Sequence, residues 1–285
     1  MCMRRELLLV VWFLVCPSTL ALAWGERAHQ MINASAVENL PEPLRTYFRA
    51  RKAFLVEHAT DPDRLARENP AERPHHYTEL EAYDAWPFLT FRRQFVEQGI
   101  GPPASAARHG DSIWQIERYT LELATALRRH RWDAADHAAL FAAHYAADLT
   151  QPLHTVINYD GQLTGQSGIH ARFETELVNA LANSWLLEPK PAAFEPDLRA
   201  AIFKELTRSY SYRYVVFAAD NIAVAGRSYA DPLYFMDFKR LAGLPAKKRI
   251  EAAVSLVSSL WYTAWVRAGK PALPGRARVA ESVPQ

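Results

Sequence analysis

The chain reads as an all-α, single-domain helical bundle. Three observations predict this. Apolar residues recur at helical spacing through most of the sequence, with no sustained period-2 run rich in β-branched residues. The 285 residues include only 11 glycines, few for an all-β architecture built on tight turns. No internal repeat or low-complexity block divides the chain, and a chain of this length buries a full core.

The first 23 residues are expected to be a signal peptide. Arg4 and Arg5 precede nine apolar residues, Leu7 to Val15, and Pro17 and Ala21-Leu22-Ala23 follow. This is the basic, apolar and small-residue order of a secretory signal. A membrane anchor is the alternative, but nine residues are short for a hydrocarbon layer of ~30 Å. Lipidation of Cys16 is disfavoured by the bulk of Val15 before it. The protein is therefore expected to be secreted or periplasmic after cleavage near Ala23. Its mature chain would begin at Trp24, with no transmembrane segment. Both cysteines, Cys2 and Cys16, leave with the signal. The mature fold must then rest on packing, or on packing plus metal.

The helical domain is expected over 24–268. Met31, Ile32, Ala36, Val37, Leu40, Leu44 and Phe48 keep helical spacing over 29–50, and Pro41 and Pro43 split that stretch into two helices. Ile113, Ile116, Tyr119, Leu123 and Leu127 mark a helix over 112–130. The alanine-rich stretch 133–150 marks another, which Pro152 closes. Further helices are expected over 169–186, 196–228 and 247–267. Loops are expected over 61–75, 98–111, 157–168 and 187–195. From Gly269 to residue 285, Pro271, Pro274 and Pro284 with little apolar content predict a disordered tail.

Charge is nearly balanced, with 33 basic against 31 acidic residues, so no global field marks a nucleic-acid or anionic-membrane binder. The informative residues are the ten histidines. His144 and Asp148 are four apart and share one helix face. Pro152 ends that helix, and His154 can turn back towards it. His170 and Glu174 repeat the spacing at the start of another helix. Two helices that each offer an imidazole and a carboxylate form an inward-facing cage for a divalent metal. A nitrogen and oxygen donor set suits zinc, with iron and manganese next. Each pair alone also fits a surface ion pair. It is their association across one glycine-rich loop that points to metal.

His144-Tyr-x-x-Asp148-x-x-x-Pro152-x-His154 resembles the signature of the zinc-dependent phospholipase C and single-strand-specific nuclease superfamily. The resemblance implies a helical fold with a cleft holding three zinc ions. It also implies that the α-amine and carbonyl of an N-terminal tryptophan act as ligands, and Trp24 follows the expected cleavage site. Trp24-Gly-Glu-Arg-Ala-His29 matches the nuclease spacing. Asp61 and His76, 15 apart, match an aspartate and histidine pair, with Asp63 and His75 as rivals at either place. By this resemblance Asp61, His76, His144 and Asp148 hold the first zinc. Trp24, His29 and the shared Asp148 hold the second, and His154, His170 and Glu174 the third. Asp61 and Asp148 thereby become catalytic ligands, and Arg64 a phosphate clamp. Tyr77 and Glu79 sit where the nucleases place a stacking aromatic and a base-reading acid, and Asn158 follows His154 as a possible cleft residue. The match spans Trp24 to Glu174.

The two branches divide the signals. Glu174 in place of aspartate and the 16-residue gap from His154 to His170 are phospholipase-like. The spacings from Trp24 to His29 and from Asp61 to His76 are nuclease-like. The expected function is an exported zinc-dependent phosphodiester hydrolase acting on single-stranded nucleic acid or nucleotides. Phospholipase C action is the alternative. A non-catalytic helical protein with structural zinc is the reading of another class, and an open coordination position separates the two. No stable protein partner is implied. His58, His109, His130 and His137 fall outside the pattern and are expected to serve packing or the surface.

Overall fold

The computed structural model describes residues 24–274, and every regular element in that range is helical. The signal peptide expected over 1–23 and the tail from 275 onward lie outside the described residues. Helix α1 (Glu26–Glu38) is followed by α2 (Leu44–Arg49), α3 (Lys52–Glu57) and α4 (Asp61–Glu68). Short helices α5 (Leu80–Tyr83), α6 (Leu89–Arg92) and α7 (Ala106–His109) precede the long pair α8 (Ser112–Arg128) and α9 (Trp132–Thr150). Then come α10 (Ile169–Ala171), α11 (Leu177–Leu181), α12 (Leu198–Val224) and α13 (Pro232–Arg267).

Helix α9 is the axis of the bundle. Fourteen of its residues are buried, among them every residue from Ala138 to Thr150. A helix buried on all sides needs small side chains to admit its neighbours. Ala138, Ala139, Ala142, Ala143, Ala146 and Ala147 provide them. Helix α8 packs along α9 on one side and α13 on another, and α13 also contacts α1 and α12. Pro41 and Pro43 separate α1 from α2, and Pro152 closes α9, as the sequence predicts.

Helix α7 forms inside the loop expected over 98–111, and two further elements differ from expectation. Residues 61–68 form α4 rather than a loop, with Pro62 in the first turn, where its missing N–H costs nothing. Helix α13 starts at Pro232, not near 247, and runs through Pro245. Its start is encoded by Asp231, whose side chain accepts from Leu233 N at 2.8 Å, followed by proline at the first position. Gly243 lets α11 approach α13, since a Cβ there would lie 2.8 Å from Leu181 Cδ1.

The segment 187–195 is extended and tied along one face of α13. The backbone amides of Glu188, Lys190, Ala193 and Glu195 donate in turn to Glu251, Ser255, Ser259 and Thr263. The acceptors are four residues apart, so they form one row on the helix. Four amides of the strap that lack a secondary-structure partner are thereby satisfied by side chains. Past α13, Trp265 donates to Pro271 O at 3.2 Å and Leu273 packs against the core. Gly269 to residue 274 thus lie against the bundle rather than continuing the expected tail.

Candidate metal centre

His144 and Asp148 project from the last turns of α9 and are fully enclosed. A carboxylate in the last turn of a helix opposes the negative end of the dipole. Asp148 is therefore stable there only among cations. Around it the fold gathers His29 from α1, Asp63 from α4 and His76 from the 3₁₀ turn Pro70–His76. All five side chains are buried.

Four donor atoms of this group face one point. His144 Nε2 lies 3.1 Å from His76 Nδ1, 3.3 Å from Asp148 Oδ2 and 3.4 Å from Asp63 Oδ1. His76 Nδ1 lies 3.0 Å from Asp148 Oδ2 and 3.5 Å from Asp63 Oδ1. Tetrahedral zinc with ligand bonds of about 2.0–2.1 Å has donor-to-donor edges of about 3.3 Å. The other oxygen of Asp148, Oδ1, faces His29 Nε2 at 3.2 Å, but out of line for a hydrogen bond. One carboxylate thus addresses two neighbouring positions.

A second group lies beside the first. His154 follows α9 in the turn Pro152–Thr155, while His170 belongs to α10 and Glu174 to the π-helical turn Arg172–Glu176. His154 Nε2 is 3.1 Å from His170 Nε2, and Glu174 Oε2 is 2.9 Å from His170 Nε2 and 3.6 Å from His154 Nε2. A π turn is a frequent device at functional sites.

Backbone carbonyls fix the histidine tautomers. His154 Nδ1 donates to His76 O at 2.7 Å, His170 Nδ1 to Tyr159 O at 3.0 Å, and His144 Nδ1 to Ala59 O at 2.9 Å. A carbonyl only accepts, so each neutral imidazole turns the lone pair of Nε2 inward. Lone pairs facing one another at 3.1 Å repel unless a proton or a metal ion lies between them. This donation to a carbonyl is the usual support of a metal-ligating histidine.

The buried polar atoms without a hydrogen-bond partner among the described residues include His29 Nδ1 and Nε2, Asp63 Oδ1, His76 Nε2 and Asp148 Oδ1. Each orphaned group costs about 1–3 kcal/mol. Their concentration around Asp148 fits a divalent metal, and three groups have the geometry to hold one: His29, Asp63 and His144; His76, His144 and Asp148; His154, His170 and Glu174.

The side chains polarise one another strongly. Burial alone would raise Asp148, but His144, His29 and His76 hold it well below the usual carboxylate range. Burial opposes the charge on His144, yet Asp148 and Asp63 hold its pKa well above the ordinary value. His29 is pushed down by burial and by His144. In the second group burial opposes both charges, but His154 is raised by Glu174, and Glu174 is lowered by His170 and His154.

Of the residues expected from sequence, His29, His76, His144, Asp148, His154, His170 and Glu174 come together here. Asp61 does not. It lies on the outer side of α4, 2.9 Å from both His58 Nδ1 and Arg64 Nη2, and the rival Asp63 takes the inward place. Arg64 is 63% exposed in that ion pair. It is not among the residues lining the cleft. His75 pairs with Asp111 at 2.7 Å instead of joining the cluster. Asn158 staples its own loop, accepting from Leu163 N and donating to Thr164 Oγ1. Trp24 is fully buried. Its indole donates to Thr150 Oγ1 at 3.3 Å and lies 5.7 Å from the Phe173 ring, between the end of α9 and the turn carrying Glu174.

The clusters open onto a cleft of about 330 Å³. His76, His154 and His170 form its floor, and Tyr77, Glu79 and Tyr159 its sides. The Tyr77 hydroxyl donates to Arg108 O at 3.1 Å, and Glu79 bonds His109 at 2.7 Å. Burial raises the Glu79 pKa against the pull of His109. Gly110 makes this wall possible: φ is +85°, and a Cβ there would lie 2.1 Å from Tyr77 O. A larger open groove beside α8 and α9, about 660 Å³, holds none of the cluster residues.

Two further residues support the ligands: Gln151, which sequence reasoning missed, and Asp160, which it weighed only as a cleft or turn residue. Gln151 donates to Glu174 Oε2 at 3.2 Å and accepts from Leu153 N. Asp160 accepts from Gly168 N and His170 N at 3.0 and 3.2 Å, which caps the helix that carries His170. The Asp-Gly pair was legible as a turn, but its reach to His170 was not. A scan against protein-family models gives no match, and a search of the curated proteins gives no significant one.

Proposed function

We propose that the protein is an exported zinc-dependent phosphodiester hydrolase acting on single-stranded nucleic acid. The observation that carries this reading is the four-atom group His76 Nδ1, His144 Nε2, Asp63 Oδ1 and Asp148 Oδ2, whose measured separations run from 3.0 to 3.5 Å. Beside it stand His29 across Asp148 and the His154, His170 and Glu174 group. Zinc suits this donor chemistry: one ion on the four-atom group, one on His154, His170 and Glu174, and one on His29 and Asp148 Oδ1 completed by the Trp24 terminus that the sequence resemblance implies. Bound zinc supplies Lewis acidity and brings the pKa of water from its bulk value to about 7.

The chain itself supplies placement. Asp148 addresses two positions with its two oxygens and so holds them in register. The carbonyl-bonded histidines present fixed lone pairs, which removes reorganisation at the moment of reaction. Tyr77 and Tyr159 offer aromatic faces to a base beside the metal groups, and Glu79 offers a carboxyl to its edge. Export rests on the pattern of residues 1–23.

The test is a parallel assay of the protein beginning at Trp24, supplied with zinc, on single-stranded DNA, on RNA and on phosphatidylcholine. Cleavage of the nucleic acids is expected. Release of phosphocholine alone would move the protein to the phospholipase branch. Full zinc content with no hydrolysis of any substrate would leave the structural-zinc reading standing.

A further inference from the structure

Two guanidinium groups share the cleft with the metal-ligating histidines. Arg73 and Arg108 border the same cavity as His76, His154 and His170. Arg73 precedes His76 in the same 3₁₀ turn, and its Nε donates to Ala66 O at 3.4 Å. Arg108 lies in α7, and its own carbonyl receives the Tyr77 hydroxyl. Its backbone is thus locked to the cleft wall while its side chain stays exposed. Among the described residues neither guanidinium is paired with a carboxylate, whereas Arg64 is engaged by Asp61 at 2.9 Å. The cleft's one side-chain carboxylate outside the clusters, Glu79, is matched by His109. The rim is therefore cationic.

We propose that Arg73 and Arg108 form a second anion position, one that receives a phosphate of the strand next to the phosphate being cleaved. This rests on the hydrolase reading above and deepens it. Guanidinium groups bind phosphate through paired, charge-assisted hydrogen bonds. Tyr77 and Tyr159 line the same cleft and offer faces to the base that separates two consecutive phosphates. The site accordingly selects substrates with at least two phosphates over a zwitterionic headgroup, whose ammonium the rim repels. Arg64 has no part in it.

The experiment measures equilibrium binding of fluorescently labelled thymidine oligonucleotides, TpT with one phosphate and TpTpT with two, to the zinc-loaded protein, alongside hydrolysis of both. Cleavage-resistant phosphorothioate linkages, which retain the negative charge, keep the binding readout clean. Arg73→Gln, Arg108→Gln and the double variant are compared with Arg129→Gln, which removes the same charge from the α8–α9 groove. Each cleft variant should weaken TpTpT binding roughly tenfold and leave TpT binding nearly unchanged. The slope of log affinity against log salt should fall by about 0.7 for each arginine removed. Arg129→Gln should behave as wild type. Equal binding of the two oligonucleotides by the wild type, or a preference for TpTpT that survives the double variant, would overturn the second position whether or not hydrolysis occurs. Hydrolysis of neither oligonucleotide, with the arginine-dependent preference intact, would overturn the catalytic reading and leave the anion position in place.

Discussion

Asp63 faces the bundle and Asp61 faces outward because two positions in a helix differ by about 200° around its axis. Asp63 shares its face with the buried Ala66, while Asp61 shares one with His58 and Arg64. Asp63→Ala should therefore weaken metal binding by about 100-fold or more, beyond the ~10–100-fold usual for losing a supporting partner. Asp61→Ala should leave metal affinity within about threefold of wild type. Isothermal titration with zinc reads both, and reversed effects would return Asp61 to the ligand set. The histidines make a second prediction at this scale. Asp148 and Asp63 raise the His144 pKa in the metal-free site, and only the neutral imidazole can bind metal through Nε2. Apparent metal affinity should thus rise with pH, about tenfold per pH unit for each proton released. Titration in buffers of different ionisation enthalpy counts those protons, and an affinity flat between pH 5 and 8 would contradict the assignment.

At the scale of the element, the turn that carries Glu174 is held from behind. Asp220 on α12 is fully buried and accepts from Tyr234 Oη at 2.6 Å, Tyr229 Oη at 3.0 Å, Gln166 Nε2 at 2.8 Å and Arg172 Nη2 at 3.2 Å. Arg172 stands between His170 and Glu174 in sequence, and its guanidinium also lies over the Tyr229 ring at 4.0 Å. Removing one partner of such a buried pair costs about 3–5 kcal/mol. Asp220→Ala should cost that much in denaturant melts and release one metal of three in preference to the others. Loss of stability with all metals equally retained would limit Asp220 to the core. The helices themselves were largely legible. Proline placement and apolar spacing predict α1, α2, α8, α9 and α12 nearly to their ends. The start of α13 escaped because Gly243 and Pro245 interrupt its pattern, and a proline inside a helix reads as a break. Helix α4 escaped because eight polar-rich residues around a proline show little periodicity. That miss is also why Asp61 displaced Asp63: as a loop, 61–75 has no inward face, and the spacing to His76 alone decided between them. His144, Asp148, His154, His170 and Glu174 were legible because their spacings lie within one helix or the turn after it, whereas His29 and His76 were reached only through the family resemblance. Gln151 and Asp160 act through contacts that no short spacing records.

For the whole molecule, Asp148 and the four residues around it come from α1, α4, α9 and the turn before α5, so a metal there ties together elements far apart in sequence. With no cysteine beyond Cys16, no disulfide can replace that tie in the described residues. On the proposed reading zinc binds the folded state, so its removal should lower the melting temperature, and readdition should restore it. A linkage of about 2.7 kcal/mol applies at free zinc 100-fold above the dissociation constant. An unchanged melt after verified chelation would mean that the helices pack equally well around uncompensated polar atoms. None of the described helices is long and apolar enough to cross a membrane.

The number of metals held by the chain beginning at Trp24 tests the central claim most directly. Native mass spectrometry of that protein, purified without chelator and exchanged into volatile buffer, reads it in one spectrum. A dominant species carrying three zinc ions is expected: one on the His76, His144, Asp63 and Asp148 group, one beside it at His29 and Asp148 Oδ1, and one on His154, His170 and Glu174. A chain that carries no metal, and takes up none from micromolar zinc, would contradict it.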